Sequence, residues 1–355
     1  LPKEESKTGE KAMKALLLDG IRHFSYVDVP IPSITASDQV LIQIKAASIC
    51  GSDVHGMDGS TGRRIPPIIM GHEASGIVSA VGPGVRKVAP GDRVTFDSTI
   101  YCGECFYCRR GEVNLCDNRR VIGVSCQEYK QDGAFAEYLV VPERIIYPLP
   151  EGVDFIHGAL TEPVAVAAHA LTLARLTPGD TVLIVGTGLI GLLLLQLVRL
   201  HTSGAIIAVD IDEKRLALAK TLGADVTLLA DKETVSHIKA LTHGRGADQA
   251  FEVVGSEKTV AAAIEGLRKG GRLTLVGNLS PSINLPLQSV VTRQLDLQGS
   301  CAIAGEYPLA LELMAAHKIN LDPIISKVAP LKEGALWFER LYNREGGLMK
   351  VVLEL

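Results

Sequence analysis

The sequence predicts an α/β protein of two domains, a β-rich domain followed by a doubly wound parallel sheet. Three observations carry this. A chain of 355 residues is too long for one ordinary core. Residues 13–158 read as short alternating runs broken by Gly and Pro, such as "DQVLIQIKAASI", "ASGIVSAVG", "GDRVTF" and "AFAEYLVVP". From residue 159 the rhythm changes: apolar strands alternate with helical stretches, the pattern of parallel strands joined by right-handed crossovers.

The elements follow in order. Residues 1–12, "LPKEESKTGEKA", are polar and of mixed charge, and read as a flexible extension without the apolar core of a secretory signal. Residues 13–158 form the β-rich domain. Residues 159–300 form the parallel-sheet domain, with "TVLIVG", "AIIAVD", "ADQAFEVVG" and "GRLTLVG" as its strands. In residues 301–355 the alternation fades to a helix, "PLALELMAAH", and a last strand, "MKVVLEL", expected to return to the first domain.

Composition narrows the class. Hydrophobic residues make up 47% and charged residues 21%, the balance of a globular protein. A net charge of −4 gives no basic footprint for nucleic acid and no polybasic membrane patch. The uncharged run "TVLIVGTGLIGLLLLQLV" is long enough to span a membrane, but its glycines punctuate it into strand, turn and buried helix. With seven cysteines, an odd number, the expected compartment is the reducing cytoplasm.

Four of those cysteines, Cys102, Cys105, Cys108 and Cys116, are spaced Cys-x2-Cys-x2-Cys-x7-Cys. Structural zinc takes four tetrahedral thiolates, and closely spaced pairs let a short loop wrap one ion. An iron–sulfur cluster is the main rival for such a run. A closed four-thiolate cage has no open position, so chemistry must lie elsewhere.

In "TVLIVGTGLIGLLLLQL" the glycines 186, 188 and 191 form Gly-x-Gly-x-x-Gly between an apolar strand and an apolar helix. Gly186 permits the tight turn, Gly188 admits the pyrophosphate, and Gly191 allows close helix packing. The helix N-terminus then offers free N–H groups to the phosphates. Asp210 ends the next strand, where a carboxylate accepts the ribose hydroxyls of NAD and repels a 2′-phosphate. The cofactor-binding set is Gly186, Gly188, Leu189, Ile190, Gly191, Asp210, Arg215, Val254 and Val276.

Cys50 in "SICGSDVHG" and His72 in "IMGHEASG" are a second pair of candidate metal ligands, far apart in sequence. With these, the chain from Met13 onward resembles the zinc-dependent medium-chain alcohol dehydrogenases. The motifs that carry the likeness are "CGSDVHG", "GHEASGIVSAVGPGV", "GDRV", "CGECFYCRRGEVNLC", "GAFAEYLVVP", "EPVAVAAHAL", "VGTGLIG" and "AKTLGAD". The resemblance implies a GroES-like catalytic domain before a Rossmann domain, and zinc rather than an iron–sulfur cluster among the four cysteines. It also implies a second, catalytic zinc at Cys50 and His72, two zinc ions per chain, and a homodimer or homotetramer.

The closer likeness is to the polyol, sorbitol and threonine dehydrogenase branch. Glu162, in "TEPVAV", stands where other alcohol dehydrogenases place a second cysteine, so Glu73 and Glu162 are both candidates for the remaining ligand. The implied reaction is oxidation of a secondary alcohol in a polyol, sugar or related small molecule, through a zinc-bound alkoxide and hydride transfer to NAD. A threonine-type substrate and a non-catalytic binding role are the alternatives. Ser52 resembles the group that touches the reacting oxygen, His55 the relay imidazole at the solvent end, and Asp53 the carboxylate that orients the metal-binding histidine. Arg63 and Arg64 read as a solvated turn, His169 as a packed histidine, and Cys126 and Cys301 as buried or partly buried thiols.

Overall fold

The structure is a computed structural model and describes residues 12–355. The expected extension therefore lies outside the described residues, apart from Ala12. The chain forms two compact units. One takes in residues up to Tyr101, Asn118–Leu160 and Ser326–Leu355; the other takes in Cys102–Asp117 and Thr161–Ile325.

In the first unit, period-two alternation builds antiparallel sheets. Strands β1 (Ala12–Gly20) and β2 (His23–Pro30) pair as a hairpin. Strand β3 (Gln39–Ser48) turns Val40, Ile42 and Ile44 into the core at alternate positions. Beside it run β4 (Glu73–Val81) and β5 (Arg93–Phe96). The other edge of β3 is shared: β6 (Tyr138–Pro142) pairs with Gln39–Gln43, and the C-terminal strand Lys350–Glu354 pairs with Ala46–Ser48. The register sets Ser48 opposite both Glu73 and Val352. The end of β3, the start of β4 and the start of the last strand therefore meet at one place. Immediately after β3, the short helix α1 (Gly51–Gly56) begins, with Cys50 at its N-cap.

The second unit is a six-stranded, all-parallel sheet. Its strands are β7 (Val182–Val185), β8 (Ile206–Asp210), β9 (Val226–Leu229), β10 (Ala247–Glu252), β11 (Leu267–Leu275) and β12 (Asp296–Gly299), in the order β9-β8-β7-β10-β11-β12. Its helices include α2 (Thr161–Ala174), α3 (Leu189–Arg199), α4 (Glu213–Thr221), α5 (Glu257–Gly266) and α6 (Tyr307–Ala315). The run that is long enough for a membrane span resolves into β7, a glycine turn and α3, whose residues from Gly191 to Val198 are buried. Among the described residues no helix is long and apolar enough to cross a membrane. Asp212 caps α4 by accepting from the N–H groups of Lys214 and Arg215, and Ser256 forms a capping box with Thr259 on α5.

The four-cysteine segment packs with this second unit. Asn114, between Cys108 and Cys116, donates from Nδ2 to the Cys301 carbonyl at 2.7 Å and lies 3.3 Å from His169 Nε2. His169 Nδ1 meets Glu306 Oε1 at 2.8 Å.

Candidate active site and metal centres

The meeting point in the first unit gathers unlike donors. The ligand atoms of Cys50, His72 and Glu73 all lie within 4.8 Å of one another. His72 and Glu73 are buried, and Cys50 is half-buried. His72 Nδ1 stands 3.4 Å from Asp53 Oδ2. Asp53 is fully buried and takes two bonds from Arg64, from Nε at 2.9 Å and Nη2 at 2.7 Å. Burial opposes the charge on Asp53, but His72 and Arg64 outweigh it and hold its carboxyl below the usual carboxylate range. Burial likewise opposes a charged imidazole at His72, but Asp53 and Cys50 outweigh it and raise its pKa well above the ordinary value. Asp53 Oδ2 and His72 Nδ1 nevertheless make no well-formed hydrogen bond. A site whose anions call for positive charge at the histidine, with a thiol and a carboxylate beside it, fits a divalent zinc ion.

Glu73 is not a bare carboxylate. Lys350 Nζ meets its Oε2 at 2.5 Å and also donates to the Ile49 carbonyl at 3.1 Å. Ser48 Oγ donates to the same carboxylate oxygen. Glu73 and Lys350 side chains are each only 1% exposed. Ser52 Oγ lies 3.3 Å from Cys50 Sγ, and His55 sits exposed one helical turn further along α1. Glu162 lies in the first turn of α2, in the other unit.

The second donor group is the four cysteines. Cys102 Sγ lies 3.9 Å from Cys108 Sγ and 3.6 Å from Cys116 Sγ. Both separations are far beyond a disulfide bond. They bracket the ~3.8 Å expected between thiolates placed tetrahedrally about one zinc. The N–H groups of Glu104 and Cys105 pull the Cys102 thiol down to about 6, whereas burial pushes Cys108 up to about 12. A bound dication would let all four ionise together, and the geometry fits it.

The glycine turn closes β7. Gly186 has φ +100, and a Cβ there would stand 2.6 Å from Val254 Cγ2. A Cβ on Gly191 would lie 2.0 Å from the Gly186 carbonyl oxygen. At Gly188, the N-cap of α3, a Cβ would meet nothing within 4 Å, which leaves the approach to the helix N-terminus open. Asp210 Oδ2 accepts from Thr187 N at 2.7 Å and from Thr187 Oγ1 at 3.0 Å. The carboxylate thus pins the turn it was expected to complement. Leu189, Ile190, Arg215, Val254 and Val276 are half-buried around this end of the sheet.

These features agree with the relatives of the chain. The Alcohol dehydrogenase GroES-like domain family matches residues 36–151, and the Zinc-binding dehydrogenase family matches residues 190–316. The uncharacterized zinc-type alcohol dehydrogenase-like protein YdjJ of Escherichia coli is 34% identical over 97% of this chain and 99% of its own length. The chain belongs to the zinc-binding alcohol dehydrogenases. Within them, D-arabitol-phosphate dehydrogenase of Enterococcus avium is 36% identical over 94% of this chain and 95% of its own. A solved zinc-binding dehydrogenase of Sinorhizobium meliloti, bound to NADP, is 32% identical and superposes with a TM-score of 0.88, covering 98% of this chain and 100% of that one.

Four features escaped sequence reasoning. Arg64 is buried against Asp53 rather than in a solvated turn; only Arg63 is exposed, 3.3 Å from the Tyr129 hydroxyl. Lys350, in a short C-terminal strand, carried no motif. His169 is packed, as expected, but against a carboxylate, Glu306. Cys301 is exposed, while Cys126 is partly buried.

Proposed function

We propose that this dehydrogenase oxidises a secondary hydroxyl of a polyol, sugar or related small molecule with NAD, using two zinc ions per chain. The observation that carries the reading is the donor cluster of Cys50, His72 and Glu73 in a chain that also holds a glycine turn closed by Asp210. The polyol-phosphate substrate named for the Enterococcus relative supports the substrate class.

Cys50 and His72 would hold the catalytic zinc, with Glu73 and Glu162 as one ligand and one exchangeable partner. Glu73 is the carboxylate grouped with Cys50 and His72, and it is also engaged by Lys350 and Ser48. Bound there, zinc supplies the Lewis acidity that lowers the pKa of a hydroxyl, and NAD supplies the hydride acceptor. Asp53, clamped by Arg64, would orient the ring of His72 through their 3.4 Å charge contact. Ser52 Oγ, 3.3 Å from Cys50 Sγ, would take the hydroxyl proton as it releases its own, and the exposed imidazole of His55 would pass that released proton to water. Cys102, Cys105, Cys108 and Cys116 would hold the second zinc and shape their loop.

Asp210 supports NAD as the cofactor, because its charge opposes a 2′-phosphate. The seven free cysteines support the reducing cytoplasm as the compartment. Self-association as a dimer or tetramer is supported by β12, the edge strand of its sheet, and by Leu279, Leu285, Leu287 and Val291 just before it, which are 42–67% exposed.

The test is NADH formation across polyols, sugars, sugar phosphates and threonine. We expect polyols or their phosphates to be oxidised and chelation to abolish the rate. Activity confined to threonine would overturn the substrate class, and the absence of cofactor reduction with every compound would overturn the reading.

A further inference from the structure

Glu252 is the last residue of β10 and is fully buried. Its carboxylate turns back onto the loop that follows. Oε1 accepts from Val254 N at 2.9 Å and Gly255 N at 2.8 Å, and Oε2 accepts from Gly255 N at 3.0 Å. Among the described residues no cationic side chain pairs with it. An unpaired carboxylate is costly to bury, so its bonds to this one loop call for an explanation.

The strand order supplies one. The chain runs outward through β7, β8 and β9 and then crosses back to β10, on the other side of β7. The sheet's switch point therefore lies between β7 and β10, where a dinucleotide lies across the carboxyl ends of the strands. Asp210, on β8, marks the adenosine side. The nicotinamide half then falls over the loops that follow β10 and β11.

Those two loops are stacked without slack. A Cβ on Gly255, whose φ is +83, would stand 2.4 Å from the N atoms of Asn278 and Leu279. A Cβ on Gly277 would stand 2.1 Å from Gly255 N. Val254 in turn packs against Gly186 in the phosphate-facing turn.

We infer that Glu252 is a positioning residue for the nicotinamide half of the cofactor, acting by clamping the loop Val253–Gly255. This rests on reading the glycine turn as a dinucleotide site. A small shift of that loop would move the ring relative to the carbon that gives up hydride, and transfer is steeply sensitive to such displacement.

The test compares calorimetric binding of ADP-ribose, NAD+ and NADH to the purified wild-type enzyme and to Glu252→Gln. ADP-ribose carries everything except the nicotinamide. For Glu252→Gln we expect ADP-ribose affinity within about twofold of wild type, NAD+ and NADH about tenfold weaker, and a larger primary deuterium isotope effect on turnover. Equal loss for ADP-ribose and NAD+ would overturn the inference, because Glu252 would then only hold the unit together. Unchanged affinities and an unchanged isotope effect would overturn it too. If Glu252→Gln does not fold, Glu252→Asp, which keeps the charge but shortens its reach to the Val254 and Gly255 N–H groups, reads the same split. A wild-type enzyme that binds neither NAD+ nor ADP-ribose would instead overturn the dinucleotide reading beneath it.

Discussion

Lys350 places its ammonium between the Glu73 carboxylate and the Ile49 carbonyl, next to the metal donors. Removing one partner of such a pair strands the other charge in the interior, at a cost of ~3–5 kcal/mol. Lys350→Met should therefore lower the denaturation midpoint sharply. The double variant Lys350→Met/Glu73→Gln should recover most of that loss, a coupling that a mutant cycle by denaturant titration would measure. Strict additivity would show that the pair does not act as a unit. At Glu162 the expectation is chemical. Glu162→Gln should lower turnover strongly while retaining most of the catalytic zinc, and Glu162→Cys should still bind zinc. Unchanged turnover in Glu162→Gln would reduce this carboxylate to a favourable charge at the start of α2. Asp210→Ser should narrow the preference for NAD over NADP, measured as the ratio of kcat/KM values. It should also loosen the turn, because the carboxylate holds Thr187 as well.

At the scale of elements, what was legible in the sequence was local. The glycine turn and the four-cysteine loop each carry their constraint within about one supersecondary unit, so spacing alone exposed them. The Gly188 and Gly191 positions separate two demands. Gly191→Ala drives a Cβ into the Gly186 carbonyl oxygen and should destabilise the fold, as read by thermal melting. Gly188→Ala meets no protein atom and should melt near wild type while weakening NADH binding about tenfold, because the methyl group fills the phosphate approach. What the sequence hid depends on long-range register. Glu73 meets Lys350 because β4 and the last strand flank the end of β3, a relation that no local pattern announces. Arg64 was misread for the same reason: two adjacent arginines look like a solvated turn until Asp53 folds against one of them. A third relation joins the four-cysteine loop to α2 and α6 through Asn114, His169 and Glu306. Burial works against the Glu306 charge, but His169 outweighs it and lowers the Glu306 pKa from its ordinary 4.5. A carboxylate with a lowered folded pKa stabilises above its unfolded value and loses that contribution as the pH falls. The melting difference between wild type and Glu306→Gln should thus be full above pH 4.5 and close as the solution is acidified below it.

At the scale of the whole molecule, the parallel-sheet unit carries the glycine turn and the four cysteines, and the antiparallel unit carries Cys50, His72 and Ser52. The two donor clusters differ in what they leave open. Four thiolates close a tetrahedron, whereas Cys50, His72 and one carboxylate leave a position for substrate. Chelation should therefore remove activity before it unfolds the chain. The most direct measurement is zinc content and polyol-dependent NADH formation in wild type and Cys50→Ser, with NADH binding followed in parallel. The account predicts about two zinc ions per chain in wild type and about one in the variant, with turnover lost and NADH affinity retained. A Cys50→Ser enzyme that keeps its rate with one zinc would contradict the catalytic assignment. A fully active wild-type enzyme with a single zinc would contradict the two-site account.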